Sequence, residues 1–244
     1  HRELFGNIKD KQFPLLVKII DACNDLSVQV HPNDEYAALH ENSLGKTECW
    51  YVLDCKEDTK MVMGHHAKTK EELVKAIEND DYDHLLNKFD IKKGDFFYIP
   101  SGTIHAICKG SLIYEAQQSS DITYRVYDYH RKDKDGNERE LHLKQAIDCL
   151  SFDKDIDKND VHPVVKVHEN MKETIFISND SFTVSQLLVI GKCQYKCDNY
   201  QLATVVKGSG KVDEYDVKVG DNFLIPTNTS IELDGQMMIM MTTK

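Results

Sequence analysis

Two short stretches of the sequence carry side chains of the kinds that bind divalent metal ions. In SVQVHP, Gln29 and His31 are two residues apart, and Lys46 and Glu48 have the same spacing in GKTECWY. Because side chains alternate between the two faces of a β-strand, each pair is expected to point to one side of its strand. Imidazole nitrogen, carboxylate oxygen and amide oxygen form a mixed donor set that suits Zn²⁺ or a similar divalent ion.

A phrase that occurs twice in the chain contributes a further histidine. GDFFYIPSGTIHAI spans 94–107, and GDNFLIPTNTSIEL spans 220–233, which is 126 residues later (220 − 94). Both copies keep the glycine, the aspartate and the proline, but His105 of the first copy corresponds to Ile231 of the second. The spacing Gly-x5-Pro-x-Gly-x2-His predicts a tight turn, a strand, a second turn and a strand with an inward-pointing histidine.

The histidine of the repeated phrase completes a candidate metal site. Taken alone, a histidine on a strand is more often a hydrogen-bonded structural residue than a ligand. In combination, these residues predict one ion per chain, held by Gln29, His31, Glu48 and His105, with a position left open for a substrate. Because the second copy has no histidine at the equivalent place, the C-terminal region (roughly 163–244) is expected to have an apolar, filled interior around Ile231.

Three more charged residues are candidates for chemistry at this site. Lys46 is close to a proposed ligand, and a bound cation would lower its pKa so that it could act as an acid or a base; otherwise it is a surface lysine at a turn. Arg125, in ITYRVYDY, either holds an anionic part of a substrate or pairs with Asp121 or Asp128. Glu115, in SLIYEAQQ, either enters the cavity as a substrate contact or faces solvent.

Composition restricts the partners of the chain. The 244 residues carry a formal net charge of −11, which argues against binding to nucleic acid or to an anionic membrane surface. No apolar run approaches the roughly 20 residues of a membrane helix. The seven cysteines are odd in number and include no CxxC, so we expect reduced thiols and a cytoplasmic location. The sequence begins at HRELFG without a methionine, and we expect it to be a fragment of a longer protein.

The elements that must position these residues are mostly strands. Short apolar or alternating runs separated by glycine and proline turns predict an antiparallel β-sandwich or barrel. Helical periodicity is limited to NDEYAALHENS, TKEELVKAIEND with DHLLNKF, and ELHLKQAIDCL, with Asp34 and Thr69 as predicted N-caps. The polar, acidic segment SFDKDIDKNDVHP predicts a domain boundary near residues 150–163.

Several of these stretches together are similar to one family. Gly94, Pro100, Gly102 and His105 fill the fixed places of a conserved motif of the cupin barrels. QVHPNDEYA, LGKTECWYVLD, PSGTIHAI and QQSSDITYRVYDY resemble the type I mannose-6-phosphate isomerases, in particular their shorter bacterial form. The resemblance is dense from about residue 13 to 130 and thinner towards the C-terminus.

The resemblance implies a fold and a set of functional residues. The fold is two cupin-type (jelly-roll) β-barrels with helical insertions: a metal-binding catalytic barrel in residues 1–150 and a degenerate cupin-like barrel in 151–244. In the family, the residues that correspond to Gln29, His31, Glu48 and His105 bind zinc. The positions of Lys46 and Arg125 correspond to active-site residues of the family.

The predicted function is therefore interconversion of mannose 6-phosphate and fructose 6-phosphate with one Zn²⁺, or another divalent ion, per chain. An aldose and a ketose interconvert by moving a proton between C1 and C2 through an enediol, which requires polarisation of the oxygens and stabilisation of an oxyanion. The alternatives are a non-catalytic cupin that binds a sugar phosphate as a sensor, and an iron cupin dioxygenase. The expected partner is a small sugar phosphate, and the sequence does not indicate an oligomeric state.

Overall fold

The computed structural model describes residues 2–6, 12–152 and 161–244, and its fold is mainly β, as predicted. None of the described helices is long and apolar enough to cross a membrane. The helices are α1 Arg2–Phe5, α2 Asp34–His40, α3 Lys70–Glu78, α4 Tyr82–Leu85 and α5 Leu143–Cys149. The strands are β1 Leu15–Asp21, β2 Val28–Val30, β3 Glu48–Cys55, β4 Lys60–His65, β5 Leu86–Asp90, β6 Phe96–Ile99, β7 His105–Ile107, β8 Ser111–Gln118, β9 Tyr124–Tyr127, β10 Val164–His168, β11 Met171–Ser178, β12 Thr183–Ile190, β13 Cys193–Cys197, β14 Gln201–Val212, β15 Tyr215–Lys218, β16 Asn222–Ile225 and β17 Thr229–Thr243.

The chain divides into two compact units, and the division differs from the predicted one. One unit contains residues 18–160, and the other combines residues 1–17 with 161–244. The division at 160/161 lies within the predicted boundary region of 150–163, and residues 1–17 group with the C-terminal unit, whereas the expected domains are 1–150 and 151–244. The polar composition of residues 150–163 predicts the connection between the units. The sequence of residues 1–17 does not indicate to which unit this segment belongs.

Two antiparallel sheets form the unit of residues 18–160. A four-stranded sheet has the order β1-β8-β3-β6, and a five-stranded sheet has the order β5-β4-β7-β2-β9. An apolar core contains side chains from both sheets, including Trp50 and Phe97 from the first and Met61, Met63 and Ile107 from the second. The two sheets therefore enclose a common interior, as expected of a sandwich of the jelly-roll type.

Helices cover the outer face of the five-stranded sheet. Val28, Ala106 and Val126 alternate with the inward-facing residues of their strands and pack in one cluster with Leu73 of α3 and Ala146 of α5. The helical insertions thus bury one face of the sheet, and the opposite face is left to line the interior. Functional side chains on β2, β7 and β9 must lie on that interior face.

The C-terminal unit contains an eight-stranded sheet with an apolar interior. Its main path is β10-β11-β12-β17-β14-β15, with β13 paired to β17 and β16 paired to β14. Ile231 is buried in a cluster that includes Leu187, Tyr195, Leu233 and Met237. The prediction that Ile231 lies in an apolar interior is confirmed.

The two copies of the repeated phrase have the same backbone conformation at their turns. Gly94 and Gly220 begin the copies with φ of 91° and 94°. Eight residues later, Gly102 has φ 84° and Asn228 has φ 54°. Asparagine is among the few residues that tolerate this left-handed region, so the second copy retains the turn although the glycine has been replaced.

Two helix predictions need correction. Thr69 caps α3 as predicted, but the N-cap of α2 is Asn33, whose side chain accepts a hydrogen bond from the Tyr36 backbone, and not Asp34. The DHLLNKF stretch is helical only at its start, because β5 begins at Leu86 and pairs with β4. Pairing with an existing strand overrides the weak helical periodicity of this segment.

Candidate metal centre

The predicted ligands come from both sheets and meet at one end of the strands. His31 directly follows β2, Glu48 begins β3, and His105 begins β7. Gln29 is in register with His105 on one side and with Arg125 on the other. The imidazoles are thus contributed by the five-stranded sheet and the carboxylate by the four-stranded sheet. His31, Glu48 and His105 form the one cluster of three potential metal ligands within residues 2–6, 12–152 and 161–244.

The insertion that contains α2 places Lys46 beside His31. The chain leaves the sheet at Pro32 and returns to the same point, where the Lys46 backbone N–H donates to the Pro32 carbonyl at 3.0 Å. Gly45 makes this close return feasible, since a Cβ there would lie only 2.5 Å from the backbone nitrogen of Asp34. The Lys46 side chain is consequently 5% exposed, and the interpretation as a surface lysine is wrong.

Hydrogen bonds fix the orientation of the two imidazoles. Nδ1 of His31 lies 2.8 Å from the Ile122 carbonyl, and Nδ1 of His105 lies 2.9 Å from the Thr103 carbonyl. A carbonyl only accepts, so each Nδ1 carries the proton and each Nε2 presents a lone pair. Burial, then Lys46, lowers the pKa of both rings, in His105 to about 4, so both are neutral near neutral pH. Backbone contacts of this kind also orient metal-binding histidines.

The separations of the donor atoms fit a tetrahedral divalent ion. The two Nε2 atoms are 3.2 Å apart, His105 Nε2 is 3.3 Å from Glu48 Oε1, and His31 Nε2 is 3.5 Å from Glu48 Oε2. Ligand atoms placed about 2.0–2.2 Å from a tetrahedral zinc lie roughly 3.3–3.6 Å from one another. Two lone pairs and a carboxylate at these distances repel one another, and a cation in contact with them, such as the Lys46 ammonium or a metal ion, offsets this repulsion.

The electrostatics of the cluster also favour a cation. The Lys46 ammonium donates to His31 Nε2 at 2.8 Å and to Glu48 Oε2 at 2.7 Å. Glu48 Oε1 is fully buried without a hydrogen-bond partner in the described part of the chain. Burial and the charge of Glu115 raise the pKa of Glu48 to about 7, while Lys46 acts to lower it. An unsatisfied buried carboxylate oxygen is costly, and coordination of a metal ion would satisfy it.

Gln29 lies next to this cluster. Its Nε2 is 3.4 Å from His105 Nε2. Rotation of the amide about its last bond exchanges nitrogen and oxygen at nearly the same positions, so the oxygen can be presented to the same point. The residue can therefore act as a fourth, neutral oxygen donor, as the sequence predicts.

Glu115 lies in a second layer of buried polar contacts. Its carboxylate accepts from Lys18 at 2.8 Å and from Trp50 Nε1 at 2.9 Å, and Trp50 packs edge-on against the His105 ring at 5.3 Å between centroids. Burial acts to raise the pKa of Glu115, but Lys46, Lys18 and these hydrogen bonds lower it overall. Glu115 is 3% exposed, so the alternative of a solvent-facing residue is wrong.

Lys18 also contributes to this site, although it was not predicted from the sequence. Its Nζ also contacts Gln117 Oε1 at 2.5 Å, so it joins two side chains of β8. The signal was present in LLVKIID, where a single lysine interrupts an apolar strand. A lone charge at such a position usually has a buried partner.

Arg125 occupies the interior face of β9 next to Gln29. One guanidinium nitrogen donates to the Glu140 carbonyl at 2.7 Å, and Nε is buried without a partner among the described residues. Asp128, which the sequence offered as a partner, is engaged by Arg131 and Arg139. The interpretation of Arg125 as a partner of Asp128 is therefore not supported, and the Glu140 carbonyl is the contact that its guanidinium makes among the described residues.

Comparison with known proteins places this geometry in a family. Residues 1–51 match the catalytic domain of type I phosphomannose isomerase, and residues 172–244 match the cupin domain of mannose-6-phosphate isomerase. A probable mannose-6-phosphate isomerase of Bacillus subtilis is 47% identical over 235 residues, covering 93% of this chain and 74% of the relative. The mannose-6-phosphate isomerase of Streptococcus mutans is 46% identical over 246 residues, covering 98% and 77%.

Solved structures agree with the sequence relatives. The crystal structure of the mannose 6-phosphate isomerase from Bacillus subtilis superposes with a TM-score of 0.95 at 38% identity, covering 100% of this chain and 79% of that one. A mainly β cupin fold with a buried His–Glu–His cluster thus defines the class of protein. The chain belongs to the type I mannose-6-phosphate isomerase family.

Proposed function

We propose that this protein is a metal-dependent isomerase that interconverts mannose 6-phosphate and fructose 6-phosphate. The observation that carries the proposal is the convergence of two neutral imidazole nitrogens and a buried carboxylate at 3.2–3.5 Å, beside a buried lysine. The relatives described above bear the name of this activity.

We assign the metal to Gln29, His31, Glu48 and His105, and Zn²⁺ is the ion that best suits this mixture of nitrogen and oxygen donors. When bound, a divalent ion held by these residues would supply Lewis-acid polarisation of the substrate oxygens. The free thiols of all seven cysteines agree with a cytoplasmic location, which we also propose.

The remaining roles fall to residues around the metal ligands. Lys46 has an ammonium next to the ligand atoms and can give a proton to, or take one from, a substrate oxygen. Arg125 has a buried Nε on the interior face with no partner in the described ranges, and its guanidinium can hold the oxyanion of the enediolate. Glu115 is assigned to the substrate side of the cavity, where its carboxylate is kept ionised and oriented by Lys18 and Trp50.

A coupled assay with metal analysis tests the proposal. Purified protein with one bound divalent ion should convert mannose 6-phosphate to fructose 6-phosphate, and a chelator should abolish the conversion. A non-catalytic sensor would bind the sugar phosphate without turnover, and a dioxygenase would consume oxygen. Binding without isomerisation by metal-loaded protein would reject the proposed function.

A further inference from the structure

The backbone that carries the Lys46 side chain lies outside the described strands. Residues 45–47 lead from the α2 insertion back into the sheet, and they are buried although β3 begins only at Glu48. Buried backbone N–H groups need acceptors, and a sheet ladder does not supply them at these three positions. The acceptors of these amides therefore determine where the backbone below the Lys46 side chain is held.

Each of the three amides has an acceptor of its own. The middle one, of Lys46, is bonded to a backbone carbonyl, as described above. The Gly45 N–H donates to Asp34 Oδ1 at 2.8 Å. The Thr47 N–H donates to Gln118 Oε1, also at 2.8 Å. Two of the three acceptors are thus side chains, one at the start of α2 and the other at the end of β8.

These two side chains also bind each other. Gln118 Nε2 donates to both carboxylate oxygens of Asp34, at 3.0 and 3.2 Å. The Gln118 side chain is buried, and its own backbone N–H donates to the Thr47 carbonyl at 3.1 Å, so the residue is fixed at both ends. Asp34 and Gln118 together enclose residues 45–47, and we call this pair of side chains the Lys46 clamp.

The neighbouring metal ligand is held in a different way. Glu48 is the first residue of β3, and it is in register with Ile99 of β6 and with Gln117 of β8. The sheet ladder therefore positions Glu48, whereas the Lys46 clamp positions the segment that precedes it. A change in the clamp should displace the base of the Lys46 side chain and leave the ligand in place.

We propose that Asp34 and Gln118 are positioning residues, which fix the backbone of Lys46 so that its ammonium reaches the substrate oxygen with which it exchanges a proton. The proposal rests on the proposed function, which gives this proton transfer to Lys46. A lysine side chain has four rotatable bonds, so its ammonium is placed reproducibly only when the backbone below it is fixed. Misplacement of a catalytic group by about 1 Å can lower the rate by about 10²-fold.

Steady-state kinetics of clamp variants, with metal content measured on the same samples, test the proposal. Gln118→Met removes both the acceptor of the Thr47 amide and the donor to Asp34. It should lower kcat about 10- to 100-fold, with KM within about threefold and one ion per chain, because the clamp acts on the proton transfer and not on substrate binding. Glu35→Gln changes an exposed side chain in the same turn of α2 that is not part of the Lys46 clamp. It is the matched control and should behave as the wild type.

Exchange of the charged and the neutral partner provides a rescue. Above neutral pH, Gln118→Glu places two carboxylates face to face and should lower kcat as Gln118→Met does. The double substitution Asp34→Asn and Gln118→Glu restores a donor opposite an acceptor, and the new amide oxygen still accepts from Gly45. This variant should recover kcat to within about threefold of the wild type. Normal kcat in Gln118→Met, loss of the metal in that variant, or no recovery in the double variant would overturn the proposal.

Hydrogen–deuterium exchange of residues 45–47 tests the Lys46 clamp without turnover. These amides should exchange slowly in the metal-loaded wild type and in the double variant, and faster in Gln118→Met. If the protein shows this pattern but the wild type does not isomerise mannose 6-phosphate, the proposed function fails and the clamp stands. If the wild type isomerises the substrate and Gln118→Met exchanges these amides as slowly as the wild type, the clamp fails and the proposed function stands.

Discussion

At the scale of single residues, the proposed metal centre requires the imidazoles of both His31 and His105 as ligands. We predict that His105→Ala removes the metal, because three donors at 3.2–3.5 Å are reduced to two and Trp50 loses the ring against which it packs. Metal content should fall from one ion per chain to near zero, and isomerase activity should fall with it. Elemental analysis of the purified variant measures the first effect. Full metal retention would exclude His105 from the ligand set.

Substitution of Arg125 should lower activity without removing the metal. Arg125→Ala should keep the ion but lower kcat/KM by about 10²–10³, which corresponds to roughly 2–4 kcal/mol for one donor to an oxyanion. Arg125→Lys should recover little, because an ammonium cannot contact two oxygens in the planar geometry of a guanidinium. Steady-state kinetics, with metal content measured on the same samples, test this prediction. Near-normal kcat/KM in Arg125→Ala would show that Arg125 has no role in the reaction.

At the scale of elements, the turn before β7 is held by a close backbone approach. Gly102 has φ 84°, and a Cβ there would lie 2.8 Å from the Cys149 carbonyl oxygen, whereas a Cβ on Gly94, at φ 91°, would meet only Tyr51 Oη at 3.9 Å. Gly94→Ala should therefore cost only the strain of a left-handed residue, about 1–2 kcal/mol. Gly102→Ala should lower the free energy of unfolding by clearly more, because the new Cβ would also collide with the Cys149 carbonyl oxygen. Urea unfolding measures the free energy of unfolding of both variants. Equal losses would show that this close approach does not matter for stability.

The second copy of the repeated phrase should affect stability and not metal binding. Ile231→Ala removes a side chain from the apolar core of the C-terminal unit and should cost about 2–5 kcal/mol. Metal content per folded chain should remain unchanged. Loss of the ion without loss of stability would show that this unit contributes to the metal centre, contrary to the role assigned to it.

Element prediction from the sequence was most reliable where a pattern is repeated or strongly alternating. The sequence could predict that the four proposed ligands and Lys46 lie close together, because spacings of two on a strand and the Pro-Gly-His turn are local features. The hydrogen bonds from Lys18 and from Trp50 to Glu115 were not predicted, because each of them joins strands that are far apart in the sequence. The strand at 86–90 was missed because its formation depends on pairing with β4.

At the scale of the whole molecule, the ion should contribute to stability as well as to activity. A ligand that binds only the folded state raises the free energy of unfolding by RT ln(1 + [L]/Kd). This amounts to about 2.7 kcal/mol when the free ligand concentration is 100 times Kd. Removal of the ion should leave Glu48 Oε1 without a partner and lower the Tm of the protein. Calorimetry before and after chelation measures this, with His105→Ala as the control that should not respond to the chelator.

The most direct test of the central claim is a metal titration of activity. Chelator-treated protein is supplied with increasing Zn²⁺, and bound metal and isomerisation of mannose 6-phosphate are measured on the same samples. We predict that activity rises in proportion to bound metal and reaches its plateau at one ion per chain. Turnover by metal-free protein, or one bound ion without turnover, would contradict the account.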